Sequence, residues 1–398
     1  MPRVNPEILV WARETAGLTP EEAARRNQSL RDTRNASAVD RLNALEYGLD
    51  EPSRPVLVEM ARVYHRPLLT FYLPNPPAKG DRGVDFRTLP ADRSATDEAR
   101  LDTLIRDVRA RQSMVRAVLE DMDEARPLAF VGSHRREDGP AAVLASLRTL
   151  LDVDLADFRR QRTPTAAFGL LRAGAENAGV FVLLKGNLGT HHTDIDTDVF
   201  RGFTIADDVA PFVIINPNDA RPALSFTLLH EIAHLLLGQT GVSSAHTDND
   251  IERFCDDVAG EFLLPAEELN RLTLDDKDDL STVSGQIGLF ANQSNLSRTM
   301  VAYRAYQRDL ISSEIYRRLS SIYREQWREE RANLRAQARS NAGGPSYYIV
   351  RRYGLSPSLV DLARRAISSG DLTTSKAAQV LGVKPSQVGS LFDAGRAS

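Results

Sequence analysis

The chain has 398 residues, of which 42% are apolar and 26% charged, with a formal net charge of −4 and one cysteine. That length suggests two or three domains, and the composition is that of a soluble chain able to bury a core. The lone Cys255 excludes an internal disulfide framework. No apolar leader follows Met1-Pro2-Arg3 and no window nears the roughly 18 uncharged apolar residues of a membrane span, so the expected compartment is the cytoplasm, with no membrane partner.

The first segment, 1–75, reads as helical. Val4–Arg13 has helical spacing, and Thr19 is placed to cap a second helix with Pro20 at its first position. Leu42-Asn43-Ala44-Leu45-Glu46 and Leu57–Tyr64 continue the pattern. This segment resembles the helix-turn-helix domain of Xre/Cro-type repressors, with Asn27–Asn35 enlarging what would be the tight turn, so contact with a DNA groove is an open expectation. A proline-rich linker, 76–92, follows and includes Asp85-Phe86-Arg87.

Residues 93–275 read as the next domain. A long, charge-alternating helix over 94–125 carries an apolar stripe of Leu101, Leu104, Ile105, Val108 and Val115. Helices are expected near Ala141–Leu151 and Thr165–Ala178. Three short apolar runs bounded by turn residues then read as strands: Gly179–Leu184, Gly202–Ile205 and Pro211–Asn216. They predict a small sheet, with Arg201–Ile205 as its edge. His191-His192 lies in a polar turn and reads as surface.

Phe226–Leu237 contains His-Glu-x-x-His on a predicted helix, with Ser225 as N-cap and Gly238 at the C-terminal stop. At 3.6 residues per turn His230 and His234 share a face and can grip one Zn²⁺. Glu231 lies beside that face, where it can take a proton from a zinc-bound water and pass it to a leaving amine. A catalytic zinc wants a third protein ligand. The metzincin position for a third histidine is Thr240, so the candidate is Glu252, on a second amphipathic helix over 251–264 ended by Pro265. Asp256, one turn on, can orient a ligating imidazole through its far nitrogen. Cys255 reads as a small buried side chain, and His246, between the two helices, is a candidate oxyanion donor.

Phe226-Thr227-Leu228-Leu229-His230-Glu231-Ile232-Ala233-His234 and Glu252-Arg253-Phe254-Cys255-Asp256…Leu263-Leu264-Pro265 resemble the core of the ImmA/IrrE family of metallopeptidases. The resemblance implies a mostly helical α+β chain with a gluzincin-like peptidase core, zinc ligands His230, His234 and Glu252, and Glu231 as general base. Relatives more often have Ala-Asn where this chain has Cys255-Asp256. The linker is similar to the one that joins a repressor-like front end to the peptidase in such proteins. The implied substrate or partner is an Xre-type repressor or antitoxin protein, in stress response or in mobile-element or toxin-antitoxin regulation.

The remainder reads as helical: 276–340, starting with a helix-turn-helix-like stretch, and 341–398, with a break at Asn341–Ser346 and helices meeting at Gly382. From Arg298 to Ser398 there are 17 Lys+Arg against 8 Asp+Glu, a net of +9, which leaves −13 for residues 1–297. A basic end of this kind suits nucleic acid, an acidic partner or solvated helix faces. The alternative to a peptidase is therefore a DNA-binding regulator or toxin-antitoxin component whose metal site is structural or restrained by a partner.

Overall fold

The computed structural model describes residues 4–77, 94–190, 193–243, 250–274, 279–340 and 346–394. Asp85-Phe86-Arg87, His191-His192, His246 and most of the Asn341–Ser346 break lie outside them. The chain divides into two compact units: Met1–Val108 with Asn187–Ile195, and Arg109–Gly186 with Asp196–Ser398. No described helix is long and apolar enough to cross a membrane.

The first unit holds α1 (Pro6–Glu14), α2 (Pro20–Arg26), α3 (Ala38–Glu46) and α4 (Arg54–Val63) around a core including Ile8, Leu9, Leu42, Met60 and Phe71. Thr19 and Glu22 form a capping box on α2, and Ser37 and Asp40 form one on α3, each satisfying donors that a helix start leaves free. The buried Arg13 guanidinium reaches both carboxylate oxygens of Glu46, at 2.8 and 2.9 Å, and ties α1 to α3. A long connection, Asn27–Ser37, separates α2 from α3 and includes the Asn27–Asn35 stretch.

After the 27-residue α5 (Ala95–Asp121), the second unit builds on α6 (Pro140–Leu151), α7 (Leu155–Arg160) and α8 (Pro164–Asn177). The strands are β1 (Phe181–Leu184), β2 (Gly202–Ile205), β3 (Phe212–Ile215) and β4 (Gly241–Ser243), with α9 (Ala223–Leu236) between the last two. Each residue of the first three strands is buried, which is why they read as continuous apolar runs and not as alternating ones. The sheet order is β1-β3-β2-β4; β1 runs parallel to β3, and β2 runs antiparallel to both neighbours.

This order corrects the expected edge. Arg201–Ile205 is an inner strand, because Gly241–Ser243 returns beyond α9 to pair with Gly202–Thr204. Three residues are too few to read as a strand from sequence. On the opposite side the segment around Gly354 lies over β1: a Cβ on Gly354 would stand 3.2 Å from the Leu184 carbonyl oxygen. The buried Arg172 holds that segment, donating to the carbonyls of Val182, Tyr353 and Leu355 while paired with the buried Glu176.

The helical remainder comprises α10 (Asp250–Leu263), α11 (Ala266–Leu269), α12 (Leu280–Gln293), α13 (Arg298–Gln307), α14 (Ser313–Ser340), α15 (Tyr347–Gly354), α16 (Pro357–Ser369), α17 (Thr374–Leu381) and α18 (Val388–Asp393). One core joins α6, α8, the sheet, α9, α10, α12 and α13 through residues such as Leu147, Phe168, Val213, Leu228, Ile232, Val258, Phe262 and Ile287. The molecule is thus mostly helical α+β, as expected.

Candidate metal centre

Two packed helices carry the cluster. α9 is apolar around its whole circumference, as a helix sunk in a core must be, so its polar residues are enclosed with it. His230, Glu231 and His234 are 4%, 0% and 2% exposed. The helix starts at Ala223, after Pro222 and two residues earlier than the expected Ser225 cap; Ser225 is fully buried within the first turn. Its C-terminus is as expected, with Gly238 in the left-handed region at φ +67. The loop before α6 seals this end: the Gly132 and His134 N–H groups donate to the Leu235 and Leu236 carbonyls, each at 2.9 Å. The His134 ring is held in turn by Ser146 (2.7 Å) and Asp138 (3.2 Å).

α10 packs against α9 through Phe254, Cys255, Val258, Ala259 and Phe262, which turns Glu252 toward the two histidines. The Nε2 atoms of His230 and His234 are 3.1 Å apart. Glu252 places Oε2 3.2 Å from His230 Nε2 and Oε1 3.3 Å from His234 Nε2. Among the described residues, these three form a group able to hold a metal ion.

The far nitrogens settle the tautomers. Asp256 Oδ1 is 2.8 Å from His230 Nδ1, and Gln239 Oε1 is 3.3 Å from His234 Nδ1. Both oxygens are acceptors, so both Nδ1 atoms carry the proton and both Nε2 lone pairs face the Glu252 oxygens. Three lone-pair donors converging in a buried place repel one another unless a proton or a cation lies among them. Charge follows the same logic. Burial disfavours the imidazolium, yet Asp256 and Glu252 around His230, and Cys255 and Glu252 around His234, raise both rings well above the ordinary histidine value. Burial likewise opposes ionisation of Glu252, but once the rings take up a second proton at Nε2, their hydrogen bonds and positive charge hold its carboxyl well below the usual range. The pocket thus stabilises positive charge at the point where the donors meet, so the residues present fit a divalent cation.

Glu231 is separate from this triangle. Thr204 on β2 hydrogen-bonds its Oε2 at 2.8 Å, whereas its buried Oε1 has no protein partner. Burial pushes its carboxyl pKa up, against the pull of the two imidazoles and of Thr204. A buried carboxylate with a raised pKa and one oxygen without a protein partner is a better proton acceptor than an ordinary carboxylate.

The structure therefore brings His230, His234 and Glu252 into one cluster, puts Asp256 on the far side of His230 and sets Glu231 alongside. Sequence reading missed Thr204, Gly202, Gln239 and the contact of the Cys255 thiol with the His234 ring. A glycine inside an apolar strand does signal close approach by another group. Thr204 carries no such signal, since its partner is 27 residues away.

A buried two-histidine, one-carboxylate cluster is a donor set that zinc hydrolases share with other metalloproteins, and a family match points it to the metallopeptidase type. Residues 176–306 match the peptidase M78 family model, described as an IrrE N-terminal-like domain, and the match spans every residue of the cluster. No curated protein and no solved structure matches the chain.

Proposed function

We propose that this protein is a zinc-dependent endopeptidase whose substrate is another protein, an Xre-type transcriptional repressor or antitoxin, with His230, His234 and Glu252 as metal ligands and Glu231 as general base. The observation that carries this reading is the donor triangle with both Nδ1 atoms already engaged. Bonds of about 2.0–2.1 Å to a tetrahedral zinc space its ligand atoms about 3.3 Å apart. The contacts of 3.1, 3.2 and 3.3 Å agree with that spacing. Held by two imidazoles and a carboxylate, a zinc ion would keep a fourth position open for water and substrate.

Bound zinc supplies polarisation of the scissile carbonyl and acidification of the attacking water. The chain's own groups do the rest. Glu231 takes one proton from the water as its oxygen adds to the carbonyl carbon, and delivers that proton to the amide nitrogen as the C–N bond breaks. The products are a carboxylic acid and an amine. Asp256 holds the Nδ1 proton of His230, which leaves the Nε2 lone pair free, more basic and oriented as a metal ligand would need it. The resemblance of the 226–265 stretch to ImmA/IrrE proteins is what suggests a repressor as substrate.

The test is a mass-spectrometric survey of new protein N-termini in cells producing the wild type or Glu231→Gln. The expected result is a small set of termini present only with the wild type, concentrated in a helix-turn-helix repressor. Identical sets under several stresses would overturn the peptidase reading in favour of a regulator whose metal is structural.

A further inference from the structure

We propose that Thr204 is a positioning residue for Glu231, and that it works together with Gly202 on the same strand. This deepens the peptidase reading and rests on it.

Thr204 is fully buried. Its Oγ1 lies 2.8 Å from Glu231 Oε2 and 3.0 Å from the Glu231 main-chain oxygen. The hydroxyl has one proton to give. The main-chain oxygen sits inside α9, where it has a helical N–H four residues on as partner. The carboxylate oxygen is the nearer and the charged acceptor, so the proton belongs to Oε2. Such charge-assisted bonds are the stronger kind.

Gly202 supplies the other half of the cradle. A Cβ there would lie 2.6 Å from Glu231 Oε1, 2.8 Å from Thr227 Cγ2 and 2.9 Å from Glu231 Cγ. Glycine is therefore what lets the carboxylate lie against the strand. Thr204 then fixes one oxygen, and Oε1 stays without a protein donor. The cradle is rigid because β2 is paired on both sides: Thr204 faces Val213 of β3 and Gly241 of β4. A flexible three-torsion side chain is thereby held with a single oxygen available to a proton, which is the preorganisation a general base needs.

The full-length protein would be prepared as wild type, Thr204→Val, Thr204→Ser and Glu231→Gln. Each is examined for bound zinc by native mass spectrometry and, in cells, for the N-termini that depend on Glu231. Turnover is then followed on a peptide spanning the strongest such terminus. Thr204→Val removes the hydroxyl at constant shape and is expected to keep the wild-type zinc content and KM while kcat falls about tenfold to a hundredfold. Thr204→Ser restores the donor and is expected to recover most of kcat. Unchanged kcat in Thr204→Val would overturn the role of Thr204 and leave the peptidase reading intact. So would a kcat loss that serine does not rescue, or one that follows lost zinc. No Glu231-dependent terminus in the wild type would instead remove the peptidase reading itself, and this inference with it.

Discussion

Asp256 tests the residue-level argument apart from cleavage. Its carboxylate accepts the His230 Nδ1 proton at 2.8 Å, and its side chain is 35% exposed, so it can be altered without opening the core. Asp256→Ala is expected to weaken zinc binding about 10- to 100-fold, whereas Asp256→Asn, whose amide oxygen still accepts that proton, keeps most of the affinity. Competition against a chromophoric chelator measures both; equal affinity of the alanine variant and the wild type would show that His230 needs no orienting partner. Much of this cluster was legible in the sequence because it obeys helix periodicity. His230 and His234 are one turn apart, as are Glu252 and Asp256, and spacing alone puts each pair on one face. What was not legible arises across elements. Thr204 meets Glu231 only after β2 docks beside α9, and Gln239 reaches back to His234 only because the chain turns at Gly238.

At the scale of elements, short-range rules predicted interiors better than ends and edges. Ser225 has the residue type of a helix cap, yet α9 begins at Ala223 and Ser225 lies buried within its first turn. The strand at 202–205 was visible as an apolar run, but its neighbours were not, because pairing order depends on contacts distant in sequence. The turn from β2 to β3 shows how such an element is fixed. Asp207 accepts from the N–H groups of Val209 and Ala210, and Arg116 of α5 reaches both Asp207 and Asp208 at 2.8 Å. Burial pushes the Asp207 carboxyl up, but the two N–H groups and Arg116 outweigh it and hold it below its ordinary value. A carboxyl lowered on folding contributes stability that is present above its unfolded pKa of about 3.9 and is lost as pH falls through the folded value. Asp207→Asn is therefore expected to lower stability by about 1–2 kcal/mol at pH 7, with the difference from wild type shrinking below about pH 4 and vanishing in stronger acid. Urea midpoints across that range check it; a difference that does not change with pH would place the effect elsewhere than in the ionised carboxylate.

For the molecule as a whole, the charge asymmetry read from the sequence has an internal use. Cations of the basic C-terminal quarter meet acids of the preceding chain: Arg304 with Glu261, Arg328 with Asp198, Arg331 with Asp196 and Arg365 with Glu124. Arg351 is turned inward, onto the Leu381 and Gly382 carbonyls at the end of α17. Part of the net +9 is thus matched within the fold, which lessens the weight of that surplus as an argument for nucleic acid.

A metal ion held by His230, His234 and Glu252 as a set is the centre of the proposed chemistry. The most direct measurement is the zinc content of the purified full-length chain by elemental mass spectrometry, for wild type, Glu231→Gln and His234→Ala after identical zinc loading and desalting. The account predicts one zinc per chain in the first two and essentially none in the third. A wild type that retains no zinc, or a His234→Ala variant that retains a full equivalent, would contradict it.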